Sequence, residues 1–202
     1  MIKTLLFDNN GVLTASDKEC TIANFAKYFE IEEIALREVF DEFARLLDDG
    51  SETSLQFYQK IADHFGKSFD ENQLRKVHIE SYQPKPGMRE RLENLRHSYE
   101  IAMLTNFGDV FDAANENVWH YDSLFEPSKM FVSCKMKMRK PNAVIYLAAL
   151  SGLGKAPHEV VFIDDREDNL VAPRKLGMHT ILFHSPEQFE NELELLLEKE
   201  NG

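Results

Sequence analysis

Cysteine is scarce in this 202-residue chain, with only Cys20 and Cys134. Two thiols cannot build a disulfide scaffold, and a reducing compartment suits them. Long apolar runs are missing too. No stretch approaches the roughly 18 apolar residues that span a bilayer. The run from Met1 to Asp8 lacks the basic start, long apolar region and small-residue cleavage site of a signal peptide. Cations are in deficit: 23 Lys and Arg face 35 Asp and Glu, for a net charge of −12. A field of that sign repels nucleic acid and anionic membranes. Small phosphorylated ligands stay allowed, because a metal ion or one buried lysine reverses the field locally. There is no internal repeat, low-complexity tract or disordered linker. The expectation is a soluble, cytoplasmic protein without nucleic-acid or membrane partners.

Apolar residues make up 43% of the chain, enough for a packed core, and the length fits one large domain or one domain carrying an insertion. Ile2 to Asp8 reads as a buried strand running into a turn at Gly11. From residue 16 to residue 83 the texture is helical. Ile22, Phe25 and Phe29, then Val39, Phe40, Phe43, Leu46 and Leu47, then Phe57, Tyr58, Ile61, Ala62 and Phe65, then Leu74, Val77 and Ile79 mark four amphipathic helices. Pro84-Lys85-Pro86-Gly87 punctuates the chain, after which helices and strands alternate. The predicted helices cover Met88 to His97, Val110 to Asn117, a segment beginning near Pro141 in its first turn, and one closing at Gly177. The predicted strands cover Tyr99 to Leu104, Met130 to Val132, Val160 to Ile163 and Thr180 to Phe183, and a Glu-rich amphipathic helix over Glu190 to Glu200 ends the chain. This alternation predicts an α/β fold, a Rossmann-like parallel sheet flanked by helices, with an all-α helical-bundle cap inserted after the first strand. Residues 1–15 and 84–202 form the expected core and 16–83 the cap.

Ligands of open parallel sheets bind beyond the carboxyl ends of the strands. After the first strand come Asp8, Asn9, Asn10 and Gly11; after the second, Thr105 and Asn106; before the Pro141 helix, Lys140; after the fourth, Asp164, Asp165 and then Asn169. If the strands are neighbours, three carboxylates converge. Each close pair at about 4 Å costs roughly 4 kcal/mol at an effective dielectric near 20. Such crowding calls for protonation or a cation, and hard oxygen ligands without His or Cys pairs favour Mg²⁺.

Four motifs in order carry a resemblance: Phe7-Asp8-Asn9-Asn10-Gly11-Val12-Leu13-Thr14, Met103-Leu104-Thr105-Asn106, Arg139-Lys140-Pro141-Asn142, and Ile163-Asp164-Asp165 with Asn169. The chain resembles the haloacid dehalogenase superfamily, in the branch with a helical cap after the first strand. The flavour is that of small-metabolite and sugar phosphate phosphatases, including the phosphatase-type domain of soluble epoxide hydrolases. The resemblance implies an Mg²⁺-dependent phosphatase acting on a small phosphorylated metabolite. Asp8 matches the nucleophile that forms an aspartyl-phosphate. Thr105 and the Asn106 amide match the phosphoryl-oxygen binders, and Lys140 matches the lysine that neutralises nucleophile and phosphoryl charge. Asp8, the backbone carbonyl of Asn10, Asp164 and above all Asp165 match the metal ligands, with Asn169 orienting them.

One position departs from the pattern. Two residues after the nucleophile the usual phosphatase has a second Asp, which protonates the leaving group and activates water; here it is Asn10. An amide cannot exchange that proton, and general acid–base catalysis contributes about 10²–10⁴ in rate. Three readings follow: a slow phosphatase in which another group or water handles protons, a binding protein on the same fold, or an introduced change that traps a complex. The first carries most weight, because some relatives in this branch lack the acid and are still phosphatases. Metal-free dehalogenases generally lack the paired acids, and phosphomutases depend on the missing one. The remaining features are expected to be structural. Lys135 to Lys140 reads as a loop feeding Lys140, Cys134 packs as a small hydrophobe, and Trp119 and Tyr121 pack under a loop.

Overall fold

In the computed structural model, which describes residues 1–15 and 18–201, five short apolar runs form one parallel sheet. They are β1 (Thr4–Phe7), β2 (Glu100–Thr105), β3 (Met130–Val132), β4 (Val160–Asp164) and β5 (His179–Leu182), in the order β3-β2-β1-β4-β5. The period-two alternation of side chains splits the core. Leu5, Phe7, Ile101, Met103, Val161, Ile163 and Ile181 face one side, packed by α5 (Met88–Leu95), α6 (Phe111–Ala114) and α10 (Pro186–Asn201). Leu6, Ala102, Leu104, Val160 and Phe162 face the other, under α8 (Ala143–Leu153) and α9 (Glu167–Leu176). Both faces are covered, as an all-parallel sheet requires. Because β1 is central and the chain returns to its far side at β4, the carboxyl ends of β1 and β4 form the topological switch point.

The helical insertion has its own core. Helices α1 (Lys18–Phe29), α2 (Glu33–Asp48), α3 (Ser54–Phe65) and α4 (Glu71–Glu80) bury Ile22, Phe25, Phe40, Phe57, Tyr58, Ile61 and Leu74 against one another. Their ends are set by local chemistry. Thr53 and Gln56 make a capping box at α3, Gly66 ends it in the left-handed conformation, and Asp70 caps α4 by accepting from the Gln73 amide. The two connections to the sheet domain lie side by side: the Ala15 amide donates to Gln83 O and the Lys85 amide to Leu13 O, both at 2.8 Å. Ser16, where the expected cap begins, lies outside the described residues. Among the described residues, no helix is long and apolar enough to cross a membrane.

Three local expectations are corrected. Pro141 is not in the first turn of its helix: Asn142 is the cap, its side chain accepting from the Val144 amide, so α8 starts at Ala143. The helix after β2 does not end at Asn117. It widens into a π turn, Asn115–Trp119, where Asn115 bonds the Tyr121 amide and the Asp122 carboxylate and the Trp119 indole donates to Tyr82 O at 2.6 Å. The segment before Lys140 is not all loop, since Ser133–Met136 forms a single turn, α7, ended by Lys137 at φ 55°.

The cap core holds a buried histidine. His78 lies between Tyr58 and Tyr82, with Nδ1 2.8 Å from the Tyr58 hydroxyl and Nε2 3.3 Å from the Tyr82 hydroxyl. Burial holds its imidazole down at about 3, so it folds neutral. The unfolded chain binds the proton first, and stability is therefore lost as pH falls below about 6.5. By pH 5 the loss attributable to this group is about 2 kcal/mol. In denaturant titrations from pH 7 to pH 5 the wild type should lose about 2 kcal/mol relative to His78→Gln, the other titrating groups being common to both proteins. Equal slopes would contradict the assignment.

Candidate active site

The three carboxylates and Thr105 sit where strands end. Asp8 follows β1, and its amide donates to Ile163 O of the neighbouring β4 at 2.8 Å. The chain then turns tightly, with the Asn9 carbonyl collecting the amides of Val12, Leu13 and Thr14. Gly11 has φ +81°, and a Cβ there would lie 2.2 Å from Asp165 Oδ2. Only glycine fits both the backbone and that contact. The turn thereby lets the Asp165 carboxylate approach Asp8, and oxygens of Asp8, Asp164 and Asp165 all lie within 4.8 Å of one another.

Lys140 is the counter-charge. It is 1% exposed, and its ammonium lies 2.8 Å from Asp8 Oδ1 and 2.7 Å from Asp164 Oδ2. Its backbone is clamped by Asn106, whose side chain accepts from the Lys140 amide at 2.8 Å and donates to its carbonyl at 3.0 Å. Burial opposes the ammonium charge, but Asp164 and Asp8 outweigh it, so the amine titrates above the usual lysine range. Burial pushes the Asp8 carboxyl up to about 8 against the attraction of Lys140, with Asp164 adding to the rise. Burial and Asp164 likewise raise Asp165. Three carboxylates facing one buried ammonium leave excess negative charge, which a bound proton or a divalent cation relieves.

The two adjacent acids differ. Asp164 Oδ2 accepts from Lys140 and Asn169, while Oδ1 accepts from the Arg166 amide and Asn169. Asn169 is itself held by the Tyr146 hydroxyl, which donates to its carbonyl at 2.7 Å. The oxygens of Asp164 are thus engaged on several sides. Asp165 is partly exposed. An all-oxygen set at this spacing fits a hard cation such as Mg²⁺. Thr105 is buried at the end of β2, and Asn10 lines the cleft beside Asp8.

Over these groups stands a cleft of about 610 Å³, roofed by the cap helices with Phe40, Leu47, Phe57 and Tyr82. Lys85, within the Pro-Lys-Pro-Gly punctuation, donates to Gly11 O at 2.5 Å, a contact not anticipated from sequence. Asp48, Arg139 and Arg166 also line the cleft. Arg139 belonged to a recognised motif, whereas nothing local marked the other two.

A Rossmann-like core with clustered carboxylates at its switch point and a helical cap above them defines a capped hydrolase. Residues 2–177 match the model for haloacid dehalogenase-like hydrolases, and the chain belongs to that family. A family enzyme from Bacteroides thetaiotaomicron, solved in complex with magnesium and inorganic phosphate, superposes with a TM-score of 0.80 at 29% identity, over 92% of this chain and 96% of that one. The chloroplastic flavin mononucleotide hydrolase 1 of Arabidopsis thaliana is 28% identical over 77% of this chain, which spans only 60% of that relative's length. The D-ribitol-5-phosphate phosphatase of Bacteroides thetaiotaomicron is 21% identical over 98% of this chain and 99% of its own.

Proposed function

We propose that this hydrolase is an Mg²⁺-dependent phosphatase of small phosphorylated metabolites that works through an aspartyl-phosphate on Asp8. The observation that carries the reading is the buried Asp8–Lys140–Asp164 arrangement, with the partly exposed Asp165 beside it. Asp8 is held in place by its backbone and by Lys140, so an oxygen can attack phosphorus while the bond to the leaving-group oxygen breaks. Lys140 neutralises charge on the nucleophile and on the transferring phosphoryl group. Thr105 and the Asn106 amide bind phosphoryl oxygens from the β2 side. Asp8, the Asn10 carbonyl and Asp165 would hold the metal. Asp164 turns Lys140 and Asn169 toward the site and contributes its charge. When bound, Mg²⁺ supplies positive charge that offsets the charge building on the phosphoryl oxygens. A cleft of about 610 Å³ beneath a docked cap suits a metabolite. The phosphatase relatives support that substrate class.

A panel of phosphorylated metabolites, assayed with Mg²⁺ and with a chelator, tests this. Phosphate release that needs Mg²⁺ and vanishes in Asp8→Ala is the expected result. Millimolar Mg²⁺ should also raise the thermal midpoint, because it relieves carboxylate repulsion in the folded state alone. Asp165→Ala should lose both the shift and the turnover. Absence of Asp8-dependent release from every ester would leave a binding protein, the second of the readings that Asn10 opens.

A further inference from the structure

We propose that Asp48, carried by the cap, is the proton donor to the leaving group and the base for water, the work that Asn10 cannot do. The inference rests on the phosphatase reading above. Asp48 is the last residue of α2 and lines the same cleft as Asp8, Asn10, Lys140 and Asp165. It is anchored to the sheet domain rather than left with the outer cap. Its carbonyl accepts from Ser133 Oγ at 2.5 Å, and its Oδ2 lies 3.7 Å from the Arg139 guanidinium. Gly108 lets α2 come down this far, since a Cβ there would lie 2.5 Å from Leu47 Cγ. The turn beyond Asp48 is fastened as well: Lys137 donates to Gly50 O, and the Ser54 amide donates to Asp109 at 3.0 Å.

Elimination points the same way. Among the described residues lining the cleft, three acids lie outside the Asp8, Asp164 and Asp165 group: Glu19, Asp41 and Asp48. Glu19 is tied to Arg37, and Asp41 accepts from Lys18 at 2.7 Å, so each is in direct contact with a cation. His78 is neutral and bonded to two tyrosines. The Asp48 carboxyl is more loosely paired, with 26% of its side chain exposed. The groups facing it are Arg139 and Lys140 from the loop before α8, Arg166 from the turn after β4, Tyr82 beyond α4 and Asp49 in its own turn. Burial pushes the carboxyl up to about 6 against Arg139 and Lys140. That range suits a group that both gives and takes a proton near neutrality.

In the first step, Asp8 bonds to phosphorus, the ester P–O bond breaks, and the leaving oxygen takes the Asp48 proton to depart as an alcohol. In the second, the Asp48 carboxylate takes a proton from water as the water oxygen bonds to phosphorus. The Asp8–phosphorus bond breaks, inorganic phosphate leaves, and Asp48 is again protonated.

The test compares kcat/KM for an alkyl phosphate and for p-nitrophenyl phosphate across pH 5 to 9 with Mg²⁺. This ratio spans binding and the step that expels the alcohol but not the later hydrolysis of the aspartyl-phosphate. In the expulsion step a basic alkoxide needs the proton, whereas nitrophenolate does not. In the wild type, the alkyl ester alone should show kcat/KM falling above about pH 6. Asp48→Asn should lower the alkyl value about 10²-fold, abolish that limb and change the aryl value less than about 5-fold. Asn10→Asp should restore much of the alkyl activity in the Asp48→Asn protein. Equal losses for both esters would mark Asp48 as a mere support for Arg139 and overturn the proposal. So would a wild type without the alkyl-specific limb, a result independent of whether the variant folds. No Asp8-dependent turnover of either ester in the wild type would instead overturn the phosphatase reading itself.

Discussion

Asp8→Asn is expected to lower phosphate release by about 10⁴-fold or more while making the metal-free protein more stable. The two effects have one origin. A carboxylate at this position is the proposed nucleophile, and it sits buried among Asp164 and Asp165 with one lysine to share. In the folded protein Asp8 titrates at about 8, against its ordinary value of 3.8. Because the folded pKa is the higher one, stability from this group is complete below about pH 4 and is lost as pH rises through 8. The amide removes the nucleophile and the repulsion together. Metal-free wild type should therefore lose thermal midpoint from pH 5 to pH 8, and Asp8→Asn should lose less. The Mg²⁺-induced rise should shrink in the variant, since one ligand charge is gone. An Asp8→Asn protein less stable than the wild type at pH 8 without metal would contradict this account of the site.

Lys140→Met is expected to act in the opposite direction on stability. Methionine fills most of the volume, so packing changes little. The carboxylates of Asp8 and Asp164 lose their shared cation, and breaking a buried ion pair on one side costs about 3–5 kcal/mol. For a chain of this size that is a fall of roughly 10 °C in thermal midpoint at pH 7.5. The deficit should widen from pH 7.5 to pH 9, where Asp8 ionises beside Lys140 in the wild type but meets no cation in the variant. Turnover should fall with it, because no other buried lysine is in contact with Asp8 among the described residues. A variant that keeps wild-type stability at both pH 7.5 and pH 9 would mean that Lys140 does little in the resting protein.

The parallel sheet and its sequence of strands followed by polar groups were legible from the chain. Alternation of helix and strand implies parallel pairing, and parallel strands place all their carboxyl ends on one side. Asp8, Thr105, Lys140 and Asp164 therefore had to approach one another once β1, β2 and β4 were neighbours. The four cap helices were legible for the same local reason: apolar residues at helical spacing, closed off by the proline pair Pro84 and Pro86. The misplaced element ends reflect side-chain bonds that periodicity does not contain. Asn142 claims the Val144 amide, and Asn115 holds the Tyr121 amide and Asp122 across a π turn.

The residue types and order of the site were thus determined by the sequence alone, because one carboxylate, amide or lysine beside a buried strand is a local pattern. Which acid of the pair is engaged was decided by the tertiary structure. Asp164 and Asp165 are adjacent in the chain, yet one meets Lys140, Asn169 and the Arg166 amide while the other lies against Gly11. The position of Asp48 was decided in the same way. Its anchor, Ser133, is 85 residues further along the chain, and its approach depends on α2 descending onto Gly108. Spacing rules reach a few residues along a helix or strand, whereas the pairing of a cap carboxylate with the sheet domain exists only after both units have packed.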